Sequence, residues 1–263
     1  MVATKKHLVC MKIGGSVITD KTVPFTINQA GIDRFAEIVA QLQKDLGSSV
    51  DFLLGNGVGS FGHFPAHKHG LRSGAQTNEQ WLGAAITHNH VRDINLAMAN
   101  ALNKLNVPAF CLSPGDVCIS KNGSITHGSG AVVKELLGHG IVPLFHGDTI
   151  YDSVKGVHII STERALLWFG KALRSMYERI TFIAVTQTGG VLDNKAAVIT
   201  ELARSAAIPT LPGHTHDVTG GMANKVALLR EAADWADAAY IVSNSRTDIQ
   251  QALAHRQAGT KIL

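Results

Sequence analysis

The sequence is poor in cysteine, in aromatic residues and in long apolar runs, and each shortage closes off a class of explanation. Three cysteines in 263 residues, Cys10, Cys111 and Cys118, form neither a C-x-x-C pair nor an even-numbered disulfide framework. A reduced, cytoplasmic setting is therefore expected. No apolar run approaches the length that crosses a bilayer. The opening stretch MVATKKHLVCMKIGG is cut short by Lys12 and the glycines before it could form the apolar core of a signal peptide. Aromatics make up only 6% of the chain, and the basic residues behind its net charge of +4 are scattered rather than interleaved with them. That pattern argues against a nucleic-acid surface, and small anionic substrates explain the same surplus. Internal repeats and low-complexity segments are also missing.

What is present is glycine, 26 residues of it, gathered at the ends of apolar runs. In DFLLGNGVGSFGHFPAHKHG (51–70) the run Phe52-Leu53-Leu54 reads as the end of a buried strand. It opens into Gly55, Gly57, Gly59 and Gly62 and closes with His63. Glycines admit positive φ and carry no Cβ, so their amides can converge on an anion, phosphate foremost. Residues 57–62 also spell the dinucleotide fingerprint G-x-G-x-x-G. That motif needs a helix directly after it and an acidic ribose ligand. Here Phe64-Pro65 and His69-Gly70 interrupt any long helix, so a Rossmann oxidoreductase ranks behind a phosphate cradle of another design. His63, His67 and His69 have no cysteine or carboxylate nearby, and His88 and His90 lie two apart on a helix and face different ways. No metal site is expected.

The strand-then-glycine pattern occurs first at Val9–Ile13, which carries Lys12 and ends in Gly14-Gly15-Ser16. A lysine near the end of a central strand costs desolvation unless it meets an anion; the alternative is a side chain that snorkels to the surface. Thr26 and Gln29 have capping-box spacing for a helix running to about Leu46, and a second strand follows at 50–54. Strand, helix, strand is the order of a parallel sheet, which binds ligands at the carboxyl ends of its strands. A long helix is expected over 76–105, with Trp81 and Ile86 either bordering an apolar groove or belonging to the core. Strands at 107–112 and 141–145 flank a helix at about 129–137, and 149–152 pairs with 157–160 as a hairpin. Ser161 caps a helix with Glu163 in its first turn, where a carboxylate also suits the helix dipole. A strand at 180–185 leads into Thr186–Val191. Gly220-Gly221 opens a helix holding Lys225, an arrangement suited to polyphosphate. The chain closes with a strand near 240–243, a short helix, and an edge strand at 259–263.

Taken together, MKIGGSVITDK (11–21), GSFGHFPAHKHGL (59–71), GDTIYD (147–152), DVTGGMANK (217–225) and the terminal GTKI resemble the isopentenyl phosphate kinases. These lie within the amino-acid kinase superfamily, beside fosfomycin kinase, and the matches fall in order along the whole chain. The resemblance implies an α/β fold, a three-layer α/β/α sandwich with a mainly parallel central sheet. It implies one domain over 1–263, with an acceptor-binding lobe at about 1–160 and a nucleotide-binding lobe at about 161–263. The implied activity is phosphorylation of a small phosphorylated substrate by ATP with Mg2+, isopentenyl phosphate first and a phosphonate next, in a homodimer. Lys12 and Lys225 would neutralise the transferring phosphoryl group, with Glu163 at the position that orients them. Gly55, Gly57, Gly59, Ser60 and Gly62, with Gly147 and Asp148, form the implied acceptor set, and His63 would hydrogen-bond the acceptor phosphate. Gly14, Gly15, Ser16, Lys21, Thr186, Gly190, Gly220 and Gly221 join the two lysines on the nucleotide side. Phosphoryl transfer asks mainly for positioning and charge stabilisation, which lysines, amides and Mg2+ supply. A Walker A lysine motif is lacking, which excludes the P-loop solution.

Three departures from the family pattern stand out. Ser161-Thr162-Glu163 replaces S-G-D, which moves the acid outward by one methylene. Thr186-Gln187-Thr188-Gly189-Gly190-Val191 replaces T-D-V-D-G-V and loses both acids. The cradle from Gly55 to His63 is one residue longer or realigned. Two accounts fit: drifted nucleotide recognition with phosphotransfer retained, or a non-catalytic binder of a phosphorylated ligand.

Overall fold

The computed structural model describes residues 6–20, 22–208 and 221–263. Lys21 and Gly220, with the rest of the D-V-T-G run, lie outside them. The described chain runs β1 (His7–Ile13), α1 (Gly15–Ile18), α2 (Gln29–Leu46), β2 (Val50–Asn56), α3 (Ser60–Lys68) and α4 (Asn78–Lys104). It continues β3 (Ala109–Leu112), α5 (Pro114–Val117), β4 (Cys118–Lys121), β5 (Ser124–Gly128), α6 (Gly130–Gly138), β6 (Val142–His146), β7 (Asp148–Asp152) and β8 (Gly156–Ile160). It ends α7 (Thr162–Ala172), β9 (Arg179–Val185), β10 (Glu201–Leu202), α8 (Gly221–Ala232), β11 (Ala238–Val242), α9 (Arg246–Leu253) and β12 (Thr260–Ile262).

The main sheet has the order β10-β12-β11-β9-β1-β2-β6-β3, and every neighbouring pair is parallel except β11 with β12. β1 is central and apolar on both faces, as a covered parallel strand must be. Its side chains alternate between two cores. Val9, Met11 and Ile13 pack with Ile32, Phe35 and Val39 of α2, Ile94 and Met98 of α4, and Ile249 of α9. Leu8 and Cys10 pack on the other face with Leu166 and Phe169 of α7 and Val226 and Leu229 of α8. The result is the expected three-layer α/β/α sandwich. A second sheet, β5-β4-β7-β8, stands beside it and contains the expected hairpin as β7 and β8.

Several local expectations need correction. The cap of α2 is Asn28, whose side chain accepts the Gly31 amide; Thr26 and Ile27 are spent on the bridge from Thr19 to Ile27, so the helix starts later than the Thr26–Gln29 box implies. A helix does follow the glycine loop at once, nine residues long with Pro65 inside it. The carboxyl-terminal strand is not an edge: β12 lies between β11 and the two-residue β10. The hairpin of β4 and β5 had no counterpart in the sequence reading.

Successive strands step outward from β1 through β2 in one direction and, later, from β9 through β11 in the other. The reversal lies between β1 and β9, and in open α/β sheets the crevice outside the carboxyl ends at such a reversal is where ligands bind.

Candidate active site

Lys12 is the penultimate residue of β1 and shares the face of Leu8 and Cys10, so it points toward α7 and α8. Its neighbours in register are Gly55 on β2 and Ala184 on β9, both small, which leaves room for a long side chain between strands. Across that space Ser161 caps α7 by accepting the Arg164 amide at 3.2 Å, which fixes Glu163 in the first turn. Lys12 Nζ donates to Glu163 Oε1 at 2.7 Å, and Lys225 Nζ, from the second turn of α8, lies 3.8 Å from the same oxygen. Burial alone would raise the Glu163 carboxyl, but the Lys12 ammonium, and behind it Lys225, overcome burial and hold it down to about 2. Two ammoniums share one carboxylate.

The two glycine loops that follow β1 and β2 lock into one another. A Cβ on Gly57 would lie 2.4 Å from the Gly15 nitrogen, and one on Gly15 would lie 2.6 Å from the Gly59 nitrogen. Gly59 has φ of +48° and faces Thr19, which accepts the Ser60 amide at 3.2 Å and donates to the Gly15 carbonyl at 2.9 Å. The glycines divide their work differently from the expected cradle. Gly55 lies in β2, paired with β1 and β6, and leaves space for Thr162. The Gly57 amide donates to the Ile13 carbonyl at 2.8 Å, extending the strand pairing by one residue, so it is not available to a ligand. Among the described residues the amides of Gly15, Val58 and Gly59 donate to no backbone carbonyl. These, rather than Gly55 and Gly57, are the groups that can face an anion. Ser60 and Gly62 are buried in the first turn of α3, and His63 follows, half-buried.

Asp148 was expected beside the acceptor, and its carboxylate is instead filled from within. It accepts His88 Nδ1 at 2.9 Å, the Gly115 amide at 2.8 Å and the Thr149 amide at 2.8 Å. The hydrogen bond to Asp148 raises the His88 pKa against the pull of burial. His90 stacks on Phe25 at 4.4 Å, so the two histidines do face apart. Gly147 borders the site, with Val58 and Thr162 both within 3.5 Å of where its Cβ would be.

On the nucleotide side, Gly14 donates to the Val185 carbonyl and Thr186 to the Val242 carbonyl, both at 2.8 Å, so the ends of β1, β9 and β11 meet. Ser16 is the second residue of the single turn of α1 beside them. Gly190 packs against Val198 and Thr260, and Thr260 Oγ1 accepts the Val191 amide at 2.8 Å. Gly221 has φ of +57° and opens the helix that carries Lys225. Thr19, Asn56, Asn95 and Thr162 are buried polar residues near the site to which sequence reasoning gave no role. Thr19, Asn56 and Thr162 each follow an apolar run, which by itself also describes an ordinary loop, and Asn95 lies inside α4 with no local signal.

The model of the amino acid kinase family matches residues 7–243. This chain belongs to that family. Its relatives place it in the isopentenyl phosphate kinase branch. It is 34% identical over 228 residues to the isopentenyl phosphate kinase of Haloferax volcanii, covering 84% of this chain and 87% of that one. With the enzyme of the same name from Methanothermobacter thermautotrophicus it shares 28% over 272 residues, covering 97% and 98%. A solved isopentenyl phosphate kinase superposes with a TM-score of 0.80 at 25% identity, over 98% of this chain and all of that one. Carbamate kinase from Giardia lamblia, at 17% identity, shares the fold with a TM-score of 0.63.

Proposed function

We propose that this chain transfers the terminal phosphoryl group of ATP to isopentenyl phosphate, giving isopentenyl diphosphate. The observation that carries the reading is the Lys12–Glu163–Lys225 cluster at the strand reversal, beside interlocked glycine loops. ATP supplies the phosphoryl group. Lys12 and Lys225 lie where they can offset charge on the transferring group, and Glu163 holds the two ammoniums together against their mutual repulsion. The amides of Val58 and Gly59 and the side chain of His63 receive the acceptor phosphate, and the Gly15 amide lies beside them on the nucleotide side. The enclosed loops fix its oxygen for in-line attack. No covalent intermediate is needed.

Among the described residues no group of three or more histidine, cysteine, aspartate or glutamate side chains could hold a metal ion. Glu163 is committed to the lysines. Mg2+ fits here as an ion carried by the nucleotide phosphates, its usual mode in phosphoryl-transfer sites.

The acceptor belongs to the part of the chain up to about residue 160 and the nucleotide to the remainder, in a cytoplasmic homodimer. Among the described residues no helix is long and apolar enough to cross a membrane. Light scattering on the purified protein checks the dimer.

The deciding assay combines purified protein, Mg2+-ATP and a panel of alkyl monophosphates and phosphonates, with ADP release as readout. Turnover is expected to be fastest with isopentenyl phosphate. Absence of turnover on every acceptor, with calorimetric binding of the monophosphate intact, would make the chain a binding protein instead.

A further inference from the structure

Thr162, the first residue of α7, is buried in a position that the chemistry above does not use. Its Oγ1 donates to the Asn56 carbonyl at the end of β2, at 2.8 Å. Its Cγ2 presses on Gly55: a Cβ built there would lie 2.4 Å away. Asn56 is itself anchored, because its Oδ1 accepts Asn95 Nδ2 of α4 at 2.8 Å. The methyl is the nearest α7 atom over Gly55, with Leu166 Cδ1 of the next turn 3.2 Å from the same point, and it holds the first turn off β2 while one hydroxyl ties it there. The next residue is Glu163, which reaches Lys12, and Lys12 is the register partner of Gly55 on the neighbouring strand. The 2.7 Å contact between Glu163 and Lys12 is consequently the outcome of two lengths. One is the reach of the glutamate side chain, and the other is the standoff imposed by Thr162.

We propose that Thr162 is a positioning residue, a spacer that sets the distance of α7 from β2 to suit a glutamate at position 163. Shortening the acid to aspartate withdraws the carboxylate from the lysines. Removing the methyl lets the first turn of α7 settle toward Gly55 and returns part of that distance. The two changes compensate each other, whereas a threonine serving only as a helix start would give independent losses.

The kinetic arm of the test rests on the phosphotransfer reading, and the structural arm does not. Thr162→Ser, which lacks the methyl but keeps the hydroxyl for Asn56, Glu163→Asp and the double variant are compared in the full chain with Mg2+-ATP and isopentenyl phosphate. Displacements of about 1 Å cost up to roughly a hundredfold in rate, so each single variant is expected to lose about tenfold or more in kcat with both KM values little changed. The double variant is expected to exceed Glu163→Asp in kcat by about fivefold, since contacting residues couple. Losses that simply multiply in the double variant overturn the proposal, as does a Thr162→Ser variant with unchanged kcat. Crystal structures of the unmodified chain and Thr162→Ser supply the second arm. Movement of the first turn of α7 toward Gly55 is expected, and an unmoved helix overturns the spacer. An inactive unmodified chain would count against phosphotransfer alone, with the structural arm still deciding on Thr162. Thr162→Val, which keeps a methyl and removes the bond to Asn56, separates the tie from the spacer: combined with Glu163→Asp it is expected to give no recovery, and a recovery equal to that of serine overturns the proposal.

Discussion

Lys12 and Glu163 are 151 residues apart in the chain and 2.7 Å apart in space, each side chain more than nine-tenths buried. Removing one partner of such a pair leaves the other charged in a poorly solvating interior, and the cost of that is about 3–5 kcal/mol. Glu163→Gln is the more damaging choice, because it leaves Lys225 as well as Lys12 without the shared carboxylate. The expected result is a urea midpoint lowered in proportion to that loss, together with a kcat reduced by about two orders of magnitude through misplacement of both ammoniums. A glutamine variant with normal turnover would remove the carboxylate from the mechanism.

Gly59 yields a second prediction. Its φ of +48° is strained for any residue with a Cβ, and the Cβ of an alanine would fall 1.9 Å from Thr19 Oγ1. Backbone strain of this kind costs about 1–3 kcal/mol, and displacement of Thr19 adds to it by releasing the Ser60 amide and the Gly15 carbonyl. Gly59→Ala is expected to lower the unfolding free energy by about 3 kcal/mol. It should also raise the acceptor KM more than the ATP KM, as steady-state kinetics would show.

Much of this was legible before any coordinates. Apolar runs ending in glycines at Ile13 and Leu54 are local signals, and they marked the right strands and the right end of the sheet. Ser161 as a cap and Glu163 behind it were also readable, because capping depends on a few adjacent residues. The division of labour among the glycines was not. That Gly57 donates to Ile13 and that Gly55 makes room for Thr162 depend on pairings 44 and 107 residues apart in the chain, and a glycine looks the same whether it offers an amide or only space. Asp148 is a related case: the resemblance implies a place in the acceptor set, and that its carboxylate accepts the amides of Gly115 and Thr149 and the ring of His88 depends on residues up to 60 apart in the chain. The cap of α2 slipped from Thr26 to Asn28 because the bridge from Thr19 to Ile27 took the preceding residues.

His63 and Lys225 separate the two ends of the proposed reaction. His63 follows the acceptor loop on α3, and Lys225 lies on the nucleotide-side helix α8. His63→Ala is expected to raise the KM for isopentenyl phosphate by about tenfold or more while leaving the ATP KM nearly unchanged, because one charge-assisted contact to the acceptor is lost. Lys225→Ala is expected to lower kcat by about a hundredfold or more with the fold intact, since it removes charge needed most in the transition state. Circular dichroism and steady-state kinetics on both variants check the split.

Acid should weaken the fold in two stages. The His7 imidazole, bonded to Thr181 Oγ1 at 2.9 Å, is lowered from 6.5 to about 4, chiefly by burial and then by Arg179 and by His255, which shares the same hydroxyl at 3.1 Å. Unfolded, His7 takes up its proton near 6.5; folded, it does so only near 4, so its contribution is full above pH 6.5 and is lost as pH falls from 6.5 through 4. Burial lowers His146, His158 and His255 in the same direction. Glu163 acts lower on the scale: held at about 2 against 4.5 unfolded, its contribution is full above 4.5 and is lost as pH falls from 4.5 through 2. Urea midpoints measured from pH 8 to pH 3 should therefore begin to drop below 6.5 and drop further below 4.5. His7→Gln should make the upper stage shallower and leave the lower one in place, whereas Glu163→Gln should do the reverse. His88, raised by its hydrogen bond to Asp148, opposes this trend as it takes up its proton, so the comparison with His7→Gln decides: a variant whose midpoint falls as steeply as the wild type's between pH 6.5 and 4.5 would show that the His7 imidazole is not held neutral in the folded chain.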